Sequence, residues 1–130
     1  MARGTSTKVT GALGESLACE FLASKGYTIV LRNFLRPWGE IDIVAEKQGI
    51  VHFVEVKAVT RENLPDISRE NDAYRPEEQV HPAKLRKIAR TAEMYMNEKN
   101  DPREYQIDVV GVFIDVVRRQ ARCRIYEQVL

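Results

Sequence analysis

The sequence predicts a single α/β domain in which a helix, three strands, a second helix and two further strands follow one another. Three observations predict it. Apolar residues recur at helical spacing in two stretches, 11–25 and 80–99. Five other runs are rich in Ile, Val and aromatic residues, as strands are. The 130 residues, 44% hydrophobic and 30% charged, are enough for one domain, 1–130, around one core.

Residues 11–25 (GALGESLACEFLASK) read as a helix that closes at Gly26, since glycine accepts the left-handed conformation that ends helices. Leu13, Leu17 and Phe21 make one apolar stripe, widened by Ala18 and Leu22. Gly11, Gly14 and Ala18 form a strip of small side chains that lets the helix lie close to another backbone, with Glu15 at its edge. The runs 27–34, 39–46 and 50–57 follow as strands. Residues 58–79, with Pro65, Pro76 and many charges, show no period and read as a long loop. The second helix presents Leu85, Ile88, Ala89, Ala92 and Met96 on one face. The run 105–117 is apolar on both alternations from Val109 to Ile114, as a central strand is. In 121–126, Arg122 and Arg124 alternate with Cys123 and Ile125, the pattern of an exposed edge strand.

Several function classes fall away at once. No apolar run approaches the ~20 residues of a spanning helix, so no membrane partner is expected. The basic N-terminus lacks an apolar stretch after it, unlike a secretory signal. Two cysteines cannot build a disulfide scaffold, and a reduced, cytoplasmic protein is expected. With 20 Lys+Arg against 19 Asp+Glu, net charge names no partner, so any nucleic-acid surface must come from local clusters.

Chemistry concentrates in the second and third strands. A two-residue turn at Gln48-Gly49 makes Lys47 face Ile50 and, further along, Asp42 face Glu55 and Glu40 face Lys57. Glu55 and Lys57, two apart, share a face. Facing carboxylates destabilise a sheet unless something neutralises them. A divalent cation does so, and a hard oxygen ligand set selects Mg²⁺ or Mn²⁺. A neighbouring ammonium can then steady charge on a phosphate. The plain alternative is a solvated strand face carrying an exposed Glu–Lys pair.

GEIDIVA at 39–45 followed by HFVEVK at 52–57 resembles the D…(D/E)-x-K signature of restriction-endonuclease-like nucleases. With GALGESLA at 11–18, GY at 26–27, RN at 32–33, the stretch from Lys84 to Tyr95 and IDVVGV at 107–112, the chain resembles the YraN-type family, which is similar to archaeal Holliday-junction resolvases. The resemblance implies a mixed central β-sheet flanked by helices and a metal-dependent DNA endonuclease, with branched DNA as a candidate substrate. It implies Asp42 and Glu55 as metal ligands, Lys57 as the catalytic lysine, and Glu15 as an additional acidic residue beside the metal. A homodimer follows from the same resemblance, because two symmetric cuts need two sites. Ile41 stands where the superfamily motif has proline, and Val59 where the family usually has arginine. The alternative function is a nucleic-acid-binding module of the same fold that does not cut.

Other candidates are weaker. Glu40 reads as an ion-pair partner for Lys57, and Asp108 as a hydrogen-bonded residue of a buried strand. His52, His81, Cys19 and Cys123 lack zinc spacing. Lys84, Lys87 and Arg90 on the second helix read as phosphate contacts, with Lys84 assigned to binding rather than chemistry.

Overall fold

The tight turn at Gln48-Gly49 sets the centre of the sheet. Both residues have positive φ, 50° and 78°, as a type I′ turn requires, and Gly49 adopts this without a Cβ penalty. In this computed structural model, which describes residues 3–60 and 80–130, the turn joins β2 (Gly39–Lys47) to β3 (Ile50–Thr60). Their antiparallel register runs from Lys47–Ile50 to Ile43–Val54, as the turn predicts. β1 (Thr28–Arg36) pairs antiparallel with β2 on its other side.

The chain then returns through α2 (Pro82–Glu98) to β4 (Tyr105–Asp115), which lies parallel to β3. β5 (Gln120–Tyr126) closes the far edge antiparallel to β4. The five-stranded mixed sheet has the order β1-β2-β3-β4-β5. Its one parallel pair is the one that spans a helix, because parallel neighbours need a long crossover.

The two helices are associated with different faces of the sheet. α1 (Arg3–Ser24) packs Ala18 and Leu22 with Ile43, Ala45, Val54, Val110 and Val112. α2 packs Ile88, Ala92, Tyr95 and Met96 with Phe34, Val44, Val51 and Phe53. Phe53 meets Tyr95 edge-on at 5.4 Å and Tyr105 at 5.6 Å, the arrangement that ring quadrupoles favour. At the start of α2, His81 is the N-cap, its ring nitrogen accepting from the Ala83 N–H at 3.0 Å, and Pro82 follows where its missing N–H costs nothing.

Four expectations need correction. α1 begins at Arg3, well before Gly11. Its buried stripe is Gly14, Ala18 and Leu22 rather than Leu13, Leu17 and Phe21, and Leu13 is exposed. The reason is close approach: a Cβ on Gly14 would lie 2.5 Å from that of Ala58. β3 continues through Thr60, so the expected loop loses residues 58–60, and 61–79 lie outside the described residues. β4 stops at Asp115, where the carboxylate accepts from the N–H groups of Val117 and Arg118 and turns the chain. Among the described residues, no helix is long and apolar enough to cross a membrane.

Candidate metal centre

β2 loses its strict alternation at the position that matters. Ile41 and Val44 both belong to the α2-side core although they are three residues apart. Opposite them, β1 holds Asn33 at a φ of 54°, the left-handed region that asparagine tolerates. Asp42 lies within this irregular stretch, where the regular β2–β3 pairing has ended at Ile43–Val54. Its Oδ2 accepts the Val56 N–H at 2.8 Å. The carboxylate thus continues a ladder that the backbone has stopped making.

Glu55 is the other half of the centre. It is 5% exposed and close enough to Asp42 for the two side chains to share a hydrogen bond. Burial, with the charge of Glu55 next in weight, pushes the Asp42 pKa up to about 7. The Val56 N–H and Lys84 oppose that rise without cancelling it. One proton held between two carboxyl groups is the expected response of a buried acidic pair without a cation. Two oxygen donors that repel when both ionise, Glu55 buried and Asp42 half-buried, fit a hard divalent cation, with Asp42 and Glu55 as the holding residues.

Lys84 reaches this pair from α2. Its Nζ lies 2.6 Å from Glu55 Oε2, while its side chain remains about half exposed. Burial works against the ammonium, but the hydrogen bond and charge of Glu55 prevail and hold its pKa above the ordinary 10.5. The sequence assigned Lys84 to phosphate binding; the structure gives its charge to Glu55. Lys57 lies two residues beyond Glu55 on β3, on the same face by alternation, and is partly buried. Among the described residues it has no ion-pair partner. Lys87 and Arg90 are exposed on α2 and likewise have none among the described residues.

Glu15 is drawn elsewhere. Arg32 Nε donates to Glu15 Oε1 at 3.2 Å, and Arg32 Nη2 donates to Ser16 Oγ at 3.3 Å. Gly14 is seated against Ala58, and the next side chain turns toward β1. The structure therefore ties Glu15 to Arg32, not to Asp42. The expected facing of Glu40 and Lys57 is also not made, since the regular β2–β3 pairing stops at Ile43 and Glu40 pairs with Leu35 of β1.

A second polar cluster escaped the sequence reading as a unit. His52 Nδ1 and Asp108 Oδ2 are 2.7 Å apart, both residues buried, and Glu127 completes a group whose ligand atoms lie within 4.8 Å of one another. Asp108 Oδ1 also accepts from Gln106 Nε2 at 2.9 Å and from the Gln128 N–H at 3.0 Å. Its oxygens are already occupied by donors, so the cluster fastens the C-terminal segment to β4. The parallel register that sets His52 beside Gln106 could have revealed it, but sequence alone does not give that register.

Residues 14–112, which span both halves of the acidic pair, match the Uncharacterised protein family UPF0102. The chain belongs to this family. A UPF0102 protein of Campylobacter jejuni (strain 81-176) is 37% identical over 115 residues, covering 88% of this chain and 93% of the relative. A UPF0102 protein of Helicobacter pylori (strain HPAG1) is 37% identical over 105 residues, covering 81% and 82%. The YraN-type resemblance drawn from the motifs therefore holds at the level of the UPF0102 family.

Proposed function

We propose that this UPF0102 protein is a metal-dependent endonuclease that hydrolyses phosphodiester bonds in DNA, on a restriction-endonuclease-like fold. The observation that carries the reading is the Asp42–Glu55 pair: two carboxyl groups brought together in a largely buried setting, with the Asp42 pKa at about 7. A fold gains nothing in stability from such a pair, and a site for Mg²⁺ or Mn²⁺ gains both its ligands. When bound, the cation would offset negative charge developing on the attacked phosphate. Lys57, on the face of Glu55, would hold a phosphate oxygen and steady the charge that builds there as water attacks phosphorus. The bond from phosphorus to the leaving sugar oxygen breaks, and that oxygen takes up a proton. Lys84, its Nζ 2.6 Å from Glu55 Oε2, orients that carboxyl group. Glu15, held by Arg32, has no part in this scheme. Symmetric cutting of a branched substrate would call for a homodimer.

One observation favours a second reading. The Lys84 ammonium already supplies a counter-charge to Glu55, so the pair is partly neutralised without a metal. That suits a nucleic-acid-binding module that does not cut. An assay on branched, single-stranded and duplex DNA, with and without Mn²⁺, separates the two. The endonuclease reading expects metal-dependent cleavage that Lys57→Ala abolishes while DNA affinity stays within about twofold, since one contact among several contributes little. Binding without cleavage of any of these DNAs by the unaltered protein would transfer the conclusion to the second reading.

A further inference from the structure

Beside the acidic pair, the β1–β2 turn and the first half of α2 enclose an open cleft of about 480 Å³. Leu35, Pro37 and Ile88 give it apolar walls, and Arg36, Lys84 and Lys87 bring three cationic side chains to it. We infer that this cleft receives an unpaired nucleobase next to the phosphate handled at Asp42 and Glu55, so that the substrate class is DNA with single-stranded nucleotides beside the cutting point. The inference rests on the phosphodiester reading of the acidic pair and adds to it the state of the DNA.

Three features favour a base over other occupants. The cleft is linked to the acidic pair through Lys84, which lines it and lies 2.6 Å from Glu55. Its walls combine aliphatic side chains, which can cover the face of a base, with cations that can hold the adjoining phosphates. Glu40, also in the lining, lies close enough to Lys84 to act on its charge and stands where a base edge could donate to it. A base paired inside a duplex would not reach such a cleft.

The cleft is also built in advance. Gly39 lies so close to Thr91 of α2 that a Cβ there would collide with the threonine hydroxyl. Arg36 stacks on Phe34 with 4.2 Å from guanidinium to ring centroid and pairs with Glu98 of α2 at 3.4 Å. Phe34 in turn meets Tyr95 edge-on at 5.2 Å. The turn is thus fastened to the helix, while Leu35 at its rim remains 67% exposed and available to stack.

Trp38, the chain's single tryptophan, sits in that turn between Pro37 and Gly39, which both line the cleft, so its fluorescence serves as a probe of the turn. Titrations in EDTA with single-stranded, tailed-duplex and blunt-duplex oligonucleotides measure binding without cleavage. The inference expects Trp38 emission to change with single-stranded and tailed DNA, and both to bind at least about fivefold tighter than blunt duplex of equal length, as covering part of one base face with aliphatic side chains would give. Leu35→Ala, at an exposed position, removes that preference while leaving blunt-duplex affinity unchanged. Equal affinity for the three DNAs, or an unaltered preference in Leu35→Ala, overturns the inference. Because binding is read without metal, the two readings fail separately: metal-dependent cutting with no preference for unpaired DNA refutes the cleft alone, and selective binding with no cutting refutes the endonuclease alone.

Discussion

Replacing Asp42 by asparagine should make the metal-free protein more stable, and more so as pH rises. In the folded chain the Asp42 carboxyl titrates at about 7 instead of the ordinary 3.8, because of its burial and the charge of Glu55. Below about pH 4 the group is protonated in both folded and unfolded chains and costs nothing. Between about pH 4 and 7 the unfolded chain releases this proton while the folded chain keeps it, so stability falls. Above pH 7 the full penalty is present. At about 1.36 kcal/mol per pH unit, a rise from 3.8 to about 7 corresponds to about 4 kcal/mol. Glu55 and Lys84 share this coupling, so about 2 kcal/mol is expected in a measurement. Asparagine avoids the penalty and keeps an oxygen to accept the Val56 N–H. Urea unfolding of both proteins in EDTA at pH 5 and pH 8 gives the test, with the gain from Asp42→Asn larger at pH 8. Mg²⁺ should narrow the difference, stabilising the unaltered protein by about 1.4 kcal/mol at a tenfold excess over its Kd and the variant by much less. An Asp42→Asn protein less stable than its parent at pH 8, or a difference independent of pH, would refute the reasoning.

Exchanging Lys87 and Arg90 together for glutamine should weaken duplex binding and make the dependence of log affinity on log salt shallower by roughly 1.8, at about 0.9 per lost phosphate contact. An unchanged slope places the phosphate contacts elsewhere. Gly14→Ala should lower stability by about 1–2 kcal/mol in thermal or urea unfolding, since overpacking against Ala58 outweighs the better helix propensity of alanine. Asp108→Asn should cost about 1–3 kcal/mol at neutral pH by weakening the bond to His52 and leaving cleavage intact, as seen by unfolding and activity measured side by side. Loss of activity at unchanged stability would move Asp108 into the site.

Much of this fold was legible because its local signals agree. Gln48-Gly49 dictates a type I′ turn, and the turn fixes which residues of β2 and β3 face one another from Lys47–Ile50 to Ile43–Val54. Pro82 after His81 marks the start of α2, and the two-sided apolar run from Val109 to Ile114 marks a central strand. What the sequence concealed depends on contacts between distant segments. The small strip at Gly14 and Ala18 announced a close approach, but its partner Ala58, 44 positions from Gly14, was not legible, nor was the exposure of Leu13. Lys84 looked like one basic residue among several on α2, and its pairing with Glu55 follows only from the packing of α2 against the sheet. Glu15 was expected near Asp42 through resemblance; its ion pair with Arg32 of β1 was not legible, because it follows from the packing of α1 on the sheet.

The contrast among the buried acids shows why one pair invites a functional account. Asp108 is fully buried, and its two oxygens accept from His52, Gln106 and the Gln128 backbone. Asp115 is also fully buried; the Arg118 and Val117 N–H groups and the Arg118 guanidinium hold its carboxyl below the ordinary range. Each of these carboxylates is surrounded by donors, and each ties a chain segment in place. Among the described residues, the Val56 N–H donates to Asp42, the Lys84 ammonium meets Glu55, and the two carboxyl groups otherwise face each other. Burial of a charged group is stabilising only when its lone pairs are met. The acidic pair therefore opposes folding where its neighbours on β4 assist it. That cost is concentrated where β2 abandons its regular alternation and where an open cationic cleft adjoins the sheet. Local departures of this kind tend to gather at working sites, where a bound ligand supplies what the chain withholds.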